Sequence, residues 1–486
     1  MKKRFFALLL AAAMLALAAC NGVDSPVDTA KDTAEAEPAS EDGNKLVPDI
    51  PKDLRFDGKT FRVFSSPYAY FGPVLEDYEL ESNATVLSEA LYYRLVRTEE
   101  KFGITMELNY GVEGQITEPA RAAIAAGSDD FDLLVDPGFN LRNLAYEGYF
   151  IPVSELPYVD IEKPWWNKNF MESVSVNSEN PYFLFGPINC DNINRSICTF
   201  FNIDMLEVRT GLTEQDLYNV VIDGKWTIDK MTELSKLGYS DENGNTIMDE
   251  EDNYGFIHSN HWQVGFAAYS SGLRFTSRDE NNLPVLALKN EQSVDLTDKL
   301  LQLFSSDNAA YNEKDNHKSV LMFGTGHGLF HINRLCICEW TQIRDNDVKY
   351  GIIPPPKYDE SIEVYTSAIQ ETAQWHCVPV TASETDFISA ILEYYAYEGY
   401  ENVVPAYFDV TLKLKYTRGD LDGASYMLDL IVANQYTDFM SINTLGGMEN
   451  IFRDICRSGQ NNFSSRYASL ENSAKYYLKT YVSELE

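Results

Sequence analysis

Basic charge is scarce in this 486-residue chain: 39 Lys and Arg stand against 74 Asp and Glu, a formal charge of −35. A phosphate backbone needs a basic footprint, so nucleic acid is excluded as a partner. An acidic surface also resists adsorption to anionic lipid and repels anions generally. Local catalytic signatures are absent too. There is no Gly-x-Ser-x-Gly, no His-Glu-x-x-His and no phosphate loop ending in Gly-Lys-Ser/Thr. Gly324-Thr325-Gly326-His327-Gly328 is glycine-rich, but it precedes a strand pattern rather than opening a helix. No Cys-x-x-Cys occurs, and the apolar neighbours of Cys190, Cys198, Cys336, Cys338, Cys377 and Cys456 suit buried free thiols better than bridges or a zinc pair. The six histidines are scattered, and His327 and His331 fall on an expected strand, which separates them as metal ligands. No catalytic cofactor is expected.

The longest apolar run, Phe5–Ala19, is also short. As a helix it spans about 22 Å, less than a hydrocarbon core of about 30 Å. With Lys2, Lys3 and Arg4 before it and small residues after, it reads as a signal peptide, residues 1–19. Leu17-Ala18-Ala19-Cys20 resembles the bacterial lipobox, which implies a lipid on Cys20. Residues 20–52 are rich in Asp, Glu, Ala, Ser, Thr and Pro. Such a segment buries too little surface to offset its ordering entropy and reads as a disordered acidic linker. The expected location is the outer face of a cell membrane, lipid-anchored, in a Gram-positive bacterium.

What is present is a globular pattern, 44% apolar and 13% aromatic. A strand at Thr60–Ser65, a helix at Ala84–Phe102 stopped by Gly103, a strand at Ile104–Tyr110, a helix at Glu118–Ala126 and a strand at Phe131–Val135 follow in order. That order predicts an α/β fold with a parallel sheet, whose ligand-facing loops follow the strands' carboxyl ends. Strand patterns recur near 182–185, 198–202, 348–353 and 374–380, and the last hundred residues read as helices. Two lobes crossed more than once are expected: residues 53–186 plus about 346–380, and 187–345 plus about 381–486.

Six segments carry a more specific likeness: "FDGKTFRVF" (56–64), "EGYFIPVSELPYVDIEKPWWNK" (147–168), "FFNIDMLE" (200–207), "DGKWTIDKMTEL" (223–234), "YGIIPPPKYDE" (350–360) and "PAYFDVTLKLKYTRGD" (405–420). In that order they resemble the extracellular sugar-binding lipoproteins of ABC importers, the family 1 branch to which maltose-binding protein distantly belongs. The resemblance implies a type II periplasmic-binding-protein-like fold of two lobes, hinge crossovers and a helical C-terminal part. It implies a monomer that captures an oligosaccharide and delivers it to ABC permease subunits.

Sugar recognition needs aromatic faces for C–H patches and planar polar groups for hydroxyls. Asp136, Phe139, Asn140 and Arg142 stand at and after the third strand, where the resemblance places ligand contacts, although Asp136 replaces a frequent Trp. Trp165 and Trp166 follow Pro164, one indole read as core and one as cleft. Trp262 opens a helix, and Trp340 follows a returning strand in a second stacking region. Asn189, Asp191, Asn192, Asn194 and Arg195 sit on the expected crossover and read as facing the cleft.

Asp241, Asn243, Asn245, Ile247 (by its carbonyl), Asp249 and Asp252 have the spacing of a calcium loop, a possible structural site. Thr246 in place of the turn glycine and Asp252 in place of a bidentate Glu depart from that pattern. Two rival functions share these features: a surface glycoside hydrolase, whose carboxylate pair leaves no local signature, and a receptor presenting its ligand to a membrane kinase.

Overall fold

The computed structural model of the chain describes residues 46–66, 85–112, 114–408 and 421–483. The signal segment, Cys20, nearly all of the acidic linker, most of the loop at 66–71 and residues 409–420 lie outside the described residues.

Eleven strands follow in chain order among the described residues: β1 Thr60–Ser65, β2 Thr105–Tyr110, β3 Leu133–Pro137, β4 Ile197–Asn202, β5 Tyr254–Ser259, β6 Thr276–Arg278, β7 Pro284–Leu286, β8 Ala310–Glu313, β9 Gly328–Arg334, β10 Tyr350–Ile353 and β11 Gln374–Cys377. They form two principal sheets, ordered β11-β3-β1-β2 and β10-β4-β9-β5-β8, and a β6-β7 ribbon. In the first sheet β1 runs parallel to β2 and β3, as the strand–helix–strand order requires, and β11 closes it antiparallel. The intervening helix Val86–Phe102 starts on a reciprocal cap, Thr85 with Ser88. It stops where Gly103 takes φ 71°, a conformation that costs a side-chain-bearing residue. Every residue of β3, β4, β5, β9 and β11 is buried, consistent with sheets covered on both faces.

Two segments lie elsewhere than the sequence pattern placed them. β10 was expected with the first sheet, but it pairs antiparallel with β4, Ile352 opposite Phe200, in the second. The prolines after it end the strand before the chain crosses back, so the crossover falls between β10 and β11. The helix Thr385–Glu398, expected with the second lobe, packs on the first. Phe387 meets Phe61 and Phe56 edge-on at 6.0 and 5.1 Å, and Glu398 pairs with Arg97 at 2.6 Å. This helix lies beside Val86–Phe102, Tyr394 meeting Phe102 edge-on at 5.6 Å, and extends the apolar cover of the first sheet.

Three chain segments cross between the sheets side by side. Ser196 bridges Ile369, and Ile197 N–H donates to the Ala368 carbonyl at 2.8 Å. Ser367 bridges Gln435, and the Gln435 amide donates to the Ser196 hydroxyl at 2.7 Å. Narrow crossings of this kind let two packed lobes move as bodies.

Candidate functional site

Between the carboxyl ends of the two sheets lies a cavity of about 530 Å³. The first sheet contributes Phe139 and Arg142 from the helix Gly138–Tyr146 that follows β3. The second contributes Trp262 and Phe266 after β5, Asn316 after β8, and Asn333 and Arg334 at the end of β9. Gln370, Glu371 and Thr372 come from a crossover, and Ser441, Ile442, Thr444, Glu449 and Asn450 from the C-terminal part. A recess of about 90 Å³ adjoins it, sharing Trp262, Phe266, Gln370 and Glu371 and adding Arg453.

Close backbone approach builds the β3 side. A side chain at Gly138 would meet the Trp375 indole at 2.5 Å, so glycine lets the start of the helix Gly138–Tyr146 lie against β11 and present Phe139. Arg142 is held by the Ile442 carbonyl and by the Thr444 hydroxyl at 2.6 Å. Across the cavity Trp262 is 46% exposed, the only exposed tryptophan among the described residues, and the Arg453 guanidinium lies 4.5 Å from its ring centroid. Arg334 donates to the amide oxygens of Gln370 at 3.2 Å and Asn333 at 3.4 Å, and stacks 5.2 Å from the half-buried Trp340. Burial pushes the Glu371 carboxyl up against the pull of Arg334, Arg453 and Arg142, and the same burial lowers Arg334 and Arg453.

Of the residues expected to touch ligand, Phe139, Arg142 and Trp262 line this cavity. Asp136 is buried one turn behind it, accepting from the Asn140 amide at 2.8 Å, and burial lifts its carboxyl to about 7. Trp340 stands behind Arg334 and stacks on His317 at 4.9 Å. Neither Trp165 nor Trp166 reaches the cavity. Both indole N–H groups donate to Glu393, at 3.1 and 2.8 Å, and both rings are buried. The crossover polar cluster is likewise inward-facing. Asp191 pairs with Arg195 at 3.2 Å and accepts from the Gln374 N–H at 2.9 Å, while the Asn189 amide donates to Gln374 at 2.7 Å. These residues clasp one crossover to the next.

Sequence reasoning missed Phe266, Asn316, Asn333, Gln370, Glu371 and the whole 441–450 contribution. Only the Leu445-Gly446-Gly447 turn, with both glycines at positive φ, offered a signal there.

The 241–252 loop closes on itself. Asp241 accepts from Gly244 and Thr246 N–H at 2.7 and 2.8 Å, and Asp252 from Glu242 and Asp249 N–H, both at 2.9 Å. Among the described residues no three His, Cys, Asp or Glu side chains converge as a metal site. All six cysteines that the structure describes are free thiols, five of them buried.

Neither a family model nor a curated protein matches this sequence. Solved structures do. A cyclo/maltodextrin-binding protein complexed with maltotetraose superposes with TM-score 0.57 at 12% identity, over 87% of this chain and 97% of its own. An ABC substrate-binding protein of Listeria monocytogenes in complex with cycloalternan gives 0.53 at 12%, over 86% and 98%. An ABC transporter solute-binding protein of Thermotoga lettingae bound with α-D-tagatose gives 0.52 at 15%, over 86% and 99%. The chain is therefore built on the two-lobed α/β fold of the maltodextrin-binding and other ABC-transporter solute-binding proteins.

Proposed function

We propose that this protein captures a saccharide between its lobes and delivers it, chemically unchanged, to the permease subunits of an ABC importer. The observation that carries the reading is the composition of the cavity: Phe139, Trp262 and Phe266 offer apolar ring faces, and Asn316, Asn333, Gln370 and Asn450 offer planar amides, from both sheets at once. A ligand touching both lobes shifts the hinge toward a closed form, which an importer can recognise. The proteins of like fold that hold maltotetraose, cycloalternan and tagatose support the same ligand class. Acylation of Cys20 and the acidic linker would hold the monomer at the outer membrane face. Calcium in the 241–252 loop is a separate structural proposal, resting on donor spacing.

A thermal-shift screen over neutral and acidic oligosaccharides tests the function. A true ligand at about 100 Kd adds about 2.7 kcal/mol of stability, and mass spectrometry should recover it intact. Two carboxylates, Glu371 and Glu449, do line the cavity, but Glu449 already accepts from the Leu445 and Gly447 N–H groups at 2.9 and 3.0 Å. Recovery of cleaved sugar would establish the hydrolase instead. Melting points unmoved by any saccharide would end the saccharide reading.

A further inference from the structure

In a chain where acids outnumber bases almost two to one, arginines readily find carboxylates. Arg62, Arg97, Arg195, Arg209 and Arg466 each hold one. Arg94, Arg274, Arg278 and Arg457 rest instead on carbonyls or a ring, and the cavity region holds three more without an ion pair. Arg142 and Arg334 line the cavity and Arg453 the adjoining recess; none forms an ion pair with a described carboxylate, and Glu371, which lines both spaces, is the acid whose field all three share.

Arg334 is the most telling. It is 8% exposed, and its guanidinium is held by two neutral amide oxygens and the Trp340 ring rather than by an acid. An arginine is charged at every physiological pH, so its burial without a counter-ion costs stability. Stacking and amide acceptors fix its orientation, and the one buried carboxyl of Glu371 is shared with Arg142 and Arg453 rather than paired with it. The Nε groups of Arg142 and Arg453 are also buried and donate to nothing. The Glu449 carboxylate, the other acid in the cavity, is occupied by two backbone N–H groups and by the Asn450 amide. Three oriented forks with spare donors match the planar, bidentate demand of an acidic group.

We infer that the ligand is an anionic saccharide, its acid a uronate carboxylate or a sulfate ester, received by Arg334 and Arg453 on one side of the cavity and Arg142 on the other. The inference rests on the saccharide reading above and replaces the uncharged guest that the overall acidity suggested. Net charge acts at long range and is screened, whereas an oriented buried guanidinium acts at contact. The acidic surface then confines anion binding to this cleft.

Titration calorimetry of the purified protein with trigalacturonate, a sulfated disaccharide and maltotriose, at about 0.01 M and about 0.15 M salt, tests it. At least one acidic sugar should bind about 10-fold or more tightly than maltotriose and weaken with salt, and the probe that binds identifies the acid. Arg334→Gln and Arg453→Gln should each weaken that sugar about 10-fold, several-fold more than either weakens maltotriose. Thermal melts accompany both variants. If Arg334→Gln melts early, Arg453→Gln on the more open wall carries the test. Maltotriose binding as tightly as both acidic sugars, with neither variant selective, overturns the inference and leaves the saccharide reading standing. Binding of an acidic peptide with no saccharide bound overturns both.

Discussion

Trp165 and Trp166 on one side and Trp262 on the other are the same side chain put to opposite uses. The pair sits beneath the first sheet's lobe, with Glu393 accepting both indole N–H groups, and its rings reach no cavity. Trp262 opens its helix after two residues in the left-handed region, Asn260 and His261, and is left with an open face and a guanidinium beside it. Where the fold supplies the indole's acceptor, the ring becomes core. Trp375 is core as well although its indole N–H finds no acceptor, so it is position at the end of β5 that leaves Trp262 open.

The largest effect should come from breaking the buried pair. Trp165→Ala or Trp166→Ala should cost about 3–5 kcal/mol in urea unfolding. Where folded protein survives, saccharide affinity should stay within about 2-fold; a selective loss of binding without loss of stability would place one indole in the cleft after all.

Glu393→Gln comes next. It turns an amide NH2 toward an indole N–H and should cost about 1–3 kcal/mol. The same substitution has a pH signature. Burial lifts the Glu393 carboxyl to about 7 despite both indole hydrogen bonds, so the folded state holds a proton that the unfolded state releases near pH 4.3. Its contribution therefore falls as pH rises from about 4.3 to about 7 and is level above that. The gap in melting temperature between wild type and variant should narrow across this window, and a constant gap would refute the shifted carboxyl.

For the exposed partner in the comparison, Trp262→Ala should change stability by less than about 1 kcal/mol, little beyond its contact with Arg453. It should nonetheless weaken saccharide binding about 3- to 10-fold in calorimetry. The smallest effect concerns an exposed turn. Thr246 holds φ 66°, where a β-branched residue is strained, so Thr246→Gly should raise stability by about 1 kcal/mol in urea unfolding. A gain that appears only with calcium present would support the calcium proposal.

Much of the frame was legible in the sequence. The first three strands and two helices follow from hydrophobic period and stop signals, and Thr227 caps its helix through the Lys230 N–H as its position before Ile228 suggests. That Trp262, Phe139 and Arg142 line the cavity follows from their places just after strand ends, which the pattern marks. Arg334 and Glu371 were not legible, since a charged residue in an apolar strand or at a crossover carries no mark of which way its neighbours turn. The crossover polar cluster misled for the opposite reason. Asn189, Asp191 and Arg195 look solvated by composition, yet they find their partners in Gln374 and in one another, 185 residues apart at the widest described bond.

Composition and spacing alone determined that the chain is acidic, alternates strand with helix and ends in helices, because those properties are local and periodic. Only the tertiary structure decided which tryptophan stays exposed beside a cavity, and that three arginines gather around the buried Glu371 without an ion pair. Burial and charge compensation are set by residues hundreds of positions away, and no local pattern records them.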